Sequence, residues 1–345
     1  MRKLVTIQEI SGIKPIEGAD AIELVQIMGW QCVAKKGEFK QGDLCVYFEV
    51  DSFLPPDDTR YEFLRGNSFR NNEYMGQGYR IRTITLRGAL SQGLALPLQA
   101  FPEIKETAVG TDVTELLSVR KWEQPEVAGS SGVEIGDKPF SIPTTDETRV
   151  QSMTEIIDEF KGKPYYITTK MDGTSCTIYV KDGKVGVCGR NKEYKEDAVS
   201  CAMWAWVYKK DLKNKLLSLG EDIAIQGEFC GAGIQKNPLK LLEPNLFVFD
   251  VIDLGNDGFL KKHGLDGIKN YCDKLNLAPV PVEETGDRFN YTLDELLEKA
   301  RGKYASGHDK EGIVVRTREY EQSALLQHKM SFKVINNDFL KKEKD

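Results

Sequence analysis

Lys170 opens a short string, Lys170-Met171-Asp172-Gly173-Thr174, that sets an amine, a carboxylate and a glycine side by side. An amine freed of its proton attacks phosphorus to give a phosphoramidate and becomes a leaving group again once reprotonated. That chemistry needs a lysine whose pKa is brought down by desolvation or by neighbouring cations. Alone the string is weak, because K-x-D-G is also an ordinary surface turn. Its weight comes from what accompanies it in order: Arg149 in TDETRVQ upstream, then Arg190 in CGRNKEY, Glu228 in IQGEFCG, Phe249-Asp250 in FVFDV, Glu311 in EGIVVR, and Lys329 and Lys333 in HKMSFKVIN. Each has a plain alternative. Phe249 lies in an apolar strand where core packing is common, Arg190 and Glu228 could form a surface pair, and Arg149 could belong to a structural salt bridge.

These residues fall on strand ends and turns of the second of two expected domains. With 345 residues, the chain exceeds the size at which a single core usually stops growing. Residues 1–123 read as short strands and turns (KLVTIQEI, AIELVQIMG, WQCVAKK, LCVYFEV, YRIRTITLRG, GLALPLQA), the pattern of a small closed antiparallel sheet, and a barrel of the oligonucleotide-binding (OB) type suits that size. Residues 124–145 lose periodicity and fill with Gly, Ser and Pro, which predicts a linker. From 146 to 345 strands alternate with helices: YYITTK, the pair SCTIYVK and KVGVCGR joined at Asp182-Gly183, a helical span over 195–218, strands DIAIQGEF and LFVFDVID, helices near 262–275 and 292–301, and a strand GIVVRT.

Composition narrows the class. Apolar residues make up 40% and charged residues 29%, which excludes disorder, and no apolar run approaches the roughly 20 residues that cross a bilayer. The amino terminus meets acidic residues before any long apolar stretch, so an intracellular protein is expected. Seven scattered cysteines without a C-x-x-C pair predict reduced core residues, and three histidines without metal-ligand spacing argue against structural zinc. A net charge of -6 means that any nucleic-acid surface must be local. One candidate is the stretch from 60 to 87, where Arg60, Arg65, Arg70, Arg80, Arg82 and Arg87 stand against Glu62 and Glu73, interleaved with Phe63, Phe69, Tyr74 and Tyr79. Arginine suits phosphate forks and stacking on unpaired bases, so RNA contact is expected there, with a solvated, salt-bridged barrel face as the alternative.

The ordered motifs from Lys170 to Lys333 resemble those of the covalent nucleotidyltransferase superfamily of ATP-dependent DNA ligases, RNA ligases and mRNA capping enzymes. The resemblance implies an α+β chain with an amino-terminal OB-fold barrel and a carboxy-terminal nucleotidyltransferase domain, an ATP-grasp-like ligase adenylation fold. It implies Lys170 as the nucleophile that carries AMP, with Arg149, Arg190, Glu228 and Phe249 binding ATP at pyrophosphate, ribose or phosphate, ribose hydroxyls and adenine respectively. Lys329 and Lys333 would neutralise phosphate charge, and Asp172 and Glu311 would hold Mg2+ or Mn2+, through water. Many relatives have two lysines one residue apart in the last motif. Here the run is Phe332-Lys333-Val334-Ile335, which leaves the second lysine open with Lys329 as the nearest substitute. The barrel precedes the catalytic domain and only 12 residues follow Lys333, an order that resembles RNA ligases with an amino-terminal OB domain. The implied activity is ATP-dependent joining of RNA 3′-OH and 5′-phosphate ends by a monomer, with no membrane and no obligate protein partner evident. The alternatives are a DNA ligase, a capping-type enzyme or a noncatalytic RNA-binding protein.

Overall fold

The fold is that of a computed structural model, which describes residues 3–123, 132–255 and 260–342. The chain divides into two compact units, Met1–Pro125 with Gln151–Thr154, and Glu126–Val150 with Glu155–Asp345. The short segment after Val150 joins the first unit, where the Gln151 carbonyl accepts from the Gly29 N–H at 3.0 Å.

The first unit is built of short antiparallel ladders. Strand Leu44–Phe48 pairs with Val5–Glu9 on one side and with Leu94–Pro97 on the other. Val46 and Phe48 enter one core with Tyr61, Tyr79 and Phe101, while Cys45 and Tyr47 enter a second with Trp30 and Phe39. A strand buried on both faces needs apolar residues at successive positions rather than in alternation, which LCVYF supplies. Hairpin Ile22–Ile27 and Trp30–Lys35 turns at Met28-Gly29, with Met28 at φ +50°.

The second unit carries two sheets. In the five-stranded one the order is Thr148–Arg149, Ser331–Ile335, Gly312–Thr317, Tyr165–Lys170, Val282–Gly286. The larger sheet contains the successive strands Lys184–Cys188, Thr174–Lys181, Ile223–Cys230 and Asn245–Leu254. Lys170–Thr174 is therefore the crossing from one sheet to the other. The Asp182-Gly183 hairpin forms as expected, with both residues at positive φ (+49° and +72°), the requirement of a tight two-residue turn.

Two readings are corrected. The helical span expected over 195–218 is two helices, Ala202–Lys209 and Leu212–Leu219, because Asp211 takes a left-handed φ of +53° and starts a new axis. In the stretch expected as a linker, Gln124–Ser131 lies outside the described residues. The remainder is built into the second unit: Glu134–Asp137 pairs with Lys192–Tyr194, Ile142 is buried, and Gln226 Nε2 donates to the Pro143 carbonyl at 2.8 Å. A sheet edge with unpaired backbone groups accepts such a partner despite poor periodicity.

Candidate active site

Aromatic packing beneath the five-stranded sheet decides what faces the site. Phe332 and Val334 are fully buried, and Phe332 meets Phe160 edge to face at 5.0 Å, in a cluster that includes Phe289. Such ring pairs contribute about 0.5–1.5 kcal/mol each beyond their burial. Strand alternation then turns Ser331 and Lys333 to the opposite face. Lys333 lies opposite Val314 in one ladder and Arg149 in the other, and Thr168 is paired with Val314 from the next strand. Lys170 ends that strand, opposite Gly312. Gly312 has φ +152°, and a Cβ there would stand 2.1 Å from the Val334 carbonyl oxygen, so only glycine lets the strands approach so closely.

Lys170 Nζ donates to Glu311 Oε2 at 2.7 Å, with both side chains about one-fifth exposed. Desolvation lowers the Lys170 pKa, but the carboxylates of Glu311, Glu228 and Asp172 outweigh it and hold the pKa above the ordinary lysine value. Glu228 lies opposite Ser175 on the neighbouring sheet. Burial pushes its carboxyl up to about 7 against the pull of Lys170, and the charges of Glu311 and Asp172 add to the rise. Gly173 packs so tightly on strand Ile223–Cys230 that a Cβ would meet the Phe229 carbonyl oxygen at 2.5 Å. The turn therefore brings Asp172 close to Glu228 and Glu311.

Lys333 completes the cluster from the other side. Burial lowers its pKa to about 7, and the charges of Arg149 and Lys170 push the same way. Among the described residues none forms an ion pair with it. Glu311 and Asp146 oppose that fall without forming an ion pair with it, so Lys333 is left open to an anion.

Lys329 sits elsewhere. It is buried and bonds directly to Asp250, which Lys262 also contacts at 3.3 Å. Burial lowers the Lys329 pKa to about 8 despite Asp250. Next to it Arg316 donates to Glu147 at 2.9 Å and to Thr168 Oγ1 at 3.2 Å, and its guanidinium lies 5.6 Å from the centre of the Phe249 ring. Phe249 is partly exposed and packs against a small cluster of Met171, Cys230 and Val280. Arg190 forms a two-pronged pair with Asp146, with Nη2 and Nε at 2.6 and 3.1 Å from Oδ2.

The structure thus gathers Lys170, Asp172, Glu228, Glu311, Lys333 and Arg149, and sets Lys329 in a separate charge network. Sequence reasoning missed Glu147, Arg316 and Asp146. Arg316 closes the EGIVVR motif and Glu147 stands in TDETRVQ, so both were within reach, whereas nothing local marks Asp146 as the partner of Arg190.

The arginine run in the first unit disperses. Arg60 is held by Asp58 and Glu103, each at 2.6 Å, and Arg65 donates to Glu62. Arg80 is 5% exposed, 3.8 Å from Asp51 and 5.1 Å from the Trp122 ring centre, so little of it is presented to solvent. Arg70 Nη1 bonds the Phe69 carbonyl at 2.8 Å. Arg82 and Arg87 flank the strand Thr83–Leu86, whose Ile84 and Leu86 side chains are exposed.

A family model described as RNA ligase matches residues 163–335, and one described as OB-fold domain matches residues 4–98. Solved structures of the Naegleria gruberi RNA ligase are similar over the full length. An alanine variant with ATP and Mn has a TM-score of 0.90 at 38% identity, covering 99% of each chain. The form with PPi has a TM-score of 0.90 at 39% identity, covering 100% of each, and a methionine variant with AMP and Mn gives the same values. No curated protein matches the chain. Motif order, an OB domain ahead of the site and full-length likeness all agree: the chain belongs to the RNA ligase family.

Proposed function

We propose that this chain is an ATP-dependent RNA ligase that joins 3′-OH and 5′-phosphate RNA ends through a Lys170-AMP intermediate. The observation that carries the reading is the Lys170–Glu311 contact at 2.7 Å beside a second buried lysine, Lys333, that forms no ion pair with a described carboxylate.

Lys170 Nζ attacks the α-phosphorus of ATP. The N–P bond forms as the bond to the bridging oxygen breaks, and pyrophosphate leaves. Glu311 Oε2 is the atom placed to take the amine proton. Lys333 and Arg149 neutralise charge on the phosphates, since phosphoryl-type transfer depends mainly on positioning and electrostatics. Phe249 offers an aromatic face to adenine, Glu228 accepts from the ribose hydroxyls, and Arg190 contacts ribose or phosphate once it shares or leaves Asp146. Lys329 acts at one remove, by anchoring Asp250 next to Phe249. AMP then passes from Lys170 to the RNA 5′-phosphate, and a neighbouring 3′-hydroxyl displaces it. Of the barrel arginines, Arg82, Arg87 and Arg70 remain the proposed RNA contacts.

The residues fit a divalent cation. Three carboxylates share one lysine, and the Glu228 carboxyl is raised first by burial and further by the charges of Glu311 and Asp172. Among the described residues no three acidic, His or Cys side chains can hold a metal by themselves. Asp172 and Glu311 would bind Mg2+ or Mn2+ mostly through water, as such ions prefer. A bound cation would offset the negative field that keeps the Lys170 proton in place.

The test is sealing of RNA ends bearing 3′-OH and 5′-phosphate, with ATP or GTP and with matched DNA ends in parallel. Joining of RNA with ATP is expected. Joining of DNA ends only, or label taken from GTP, would overturn the reading in favour of a DNA ligase or a capping-type enzyme.

A further inference from the structure

We infer that two loops, 231–241 and 303–309, form one clamp on the main chain of the nucleophile turn, with Tyr304 and Gln235 as positioning residues. The inference rests on the reading of Lys170 as the adenylylated nucleophile.

The ladder between Tyr165–Lys170 and Gly312–Thr317 ends at the pair Lys170 and Gly312. A side-chain hydroxyl continues the connection past that point. Tyr304 Oη donates to the Lys170 carbonyl at 2.7 Å and accepts from the Glu311 N–H at 3.0 Å. One phenol therefore spans the backbones of the nucleophile and of its proton acceptor. Tyr304 is itself fixed, being 9% exposed with its own N–H bonded to the His308 carbonyl at 2.8 Å.

The far end of the turn is held from the other loop, where Gln235 Nε2 donates to the Gly173 carbonyl at 2.7 Å. That loop is strained: Gln235, Asn237 and Lys240 lie at φ +45°, +44° and +54°, a region disfavoured for residues with a side chain. It keeps this shape through Asn237, whose amide bonds both the N–H and the carbonyl of Leu241 at 3.1 and 3.0 Å, and through Leu239 and Leu241, which pack in the Met171 cluster. Ser306 Oγ donates to the Pro238 carbonyl at 2.6 Å and joins the two loops. The frame thus closes around the turn, grasping the carbonyls at Lys170 and Gly173 with Met171 buried between them. With the main chain held at both ends, the Lys170 and Asp172 side chains keep rotamer freedom only, which is how a site is preorganised for an in-line attack.

The experiment is single-turnover label transfer from α-labelled ATP to the full chain, over a range of ATP concentrations, with thermal unfolding recorded for each variant. Tyr304→Phe and Gln235→Ala are each expected to slow the limiting rate about tenfold, the usual size of one lost positioning hydrogen bond, with the half-saturating ATP concentration within about twofold of wild type. Wild-type limiting rates in both variants would overturn the clamp, as would losses confined to ATP affinity or explained by the unfolded fraction. If Tyr304→Phe fails to fold, Gln235→Ala decides, because Gln235 is exposed. Lys170→Ala separates the two readings. Label on that variant would refute the adenylylated lysine, whereas no label on it together with wild-type rates in the clamp variants would refute the clamp alone.

Discussion

Lys329 and Lys333 stand four positions apart, and both have pKa values lowered by burial, to about 8 and about 7. Their surroundings differ. Lys329 bonds to Asp250 within a network completed by Lys262, Arg316 and Glu147, whereas Lys333 feels Arg149 and Lys170 more strongly than Glu311 and Asp146 and forms no ion pair with a described carboxylate. A buried lysine locked to an anion holds structure together, and one without a bonded anion of its own can take one from outside. The last motif therefore sets one lysine, Lys333, on the site-facing side of its strand, with Ser331 at the alternate position, bonded to Glu147.

The comparison breaks most visibly through stability. Lys329→Ala removes one bonded cation from the buried Asp250 carboxylate and leaves Lys262 at 3.3 Å, and a loss of about 1–3 kcal/mol in folding free energy is expected in denaturant melts. Lys333→Ala removes no ion pair, and its melting point should stay near wild type or rise, while single-turnover adenylylation falls about 10²- to 10³-fold, the usual effect of removing one electrostatic stabiliser. An unstable Lys333→Ala, or a stable Lys329→Ala that adenylylates as poorly, would reverse the two roles.

Glu228 sharpens the same contrast by pH. Its carboxyl is pushed up to about 7 in the folded chain and returns to the ordinary value of 4.5 when unfolded. Below about pH 4.5 both states hold the proton, and Glu228→Gln should match wild type in metal-free buffer. From about pH 4.5 to 7 the unfolded chain ionises while the folded chain keeps its proton, so the wild type loses stability over that window and the loss levels off above 7. The variant should then be more stable by on the order of 2–3 kcal/mol at pH 8. An equal gap at both pH values would remove Glu228 from the carboxylate cluster. The smallest effect is expected in the first unit. Replacing Arg82 and Arg87 together by alanine should weaken RNA binding a few-fold and flatten its salt dependence, and Arg80→Ala should change stability without altering the salt slope.

Much of the site was legible because its residues sit at strand ends, where short strings mark both element and chemistry. KMDGT, IQGEF and EGIVVR each place a polar residue at the rim of an apolar strand, and strand alternation carries it to the site. The arginine run was less legible, since whether an arginine is free depends on partners such as Glu103, 43 positions from Arg60, and Trp122, which covers Arg80. The clamp was invisible for the same reason. Tyr304 and Lys170 are 134 positions apart, and the bond between them runs from a side chain to a main-chain carbonyl that carries no sequence signature. The break at Asp211 was missed because the apolar periodicity continues across it, while a single left-handed residue redirects the axis.

The central claim is that Lys170 carries AMP, and mapping the modified residue tests it most directly. Incubation with ATP and magnesium, followed by proteolysis and mass spectrometry, should place a single adenylate on the peptide containing Lys170, with none in Lys170→Ala. An adenylate on Lys329, on Lys333 or on any other residue, or its persistence in the alanine variant, would contradict the account.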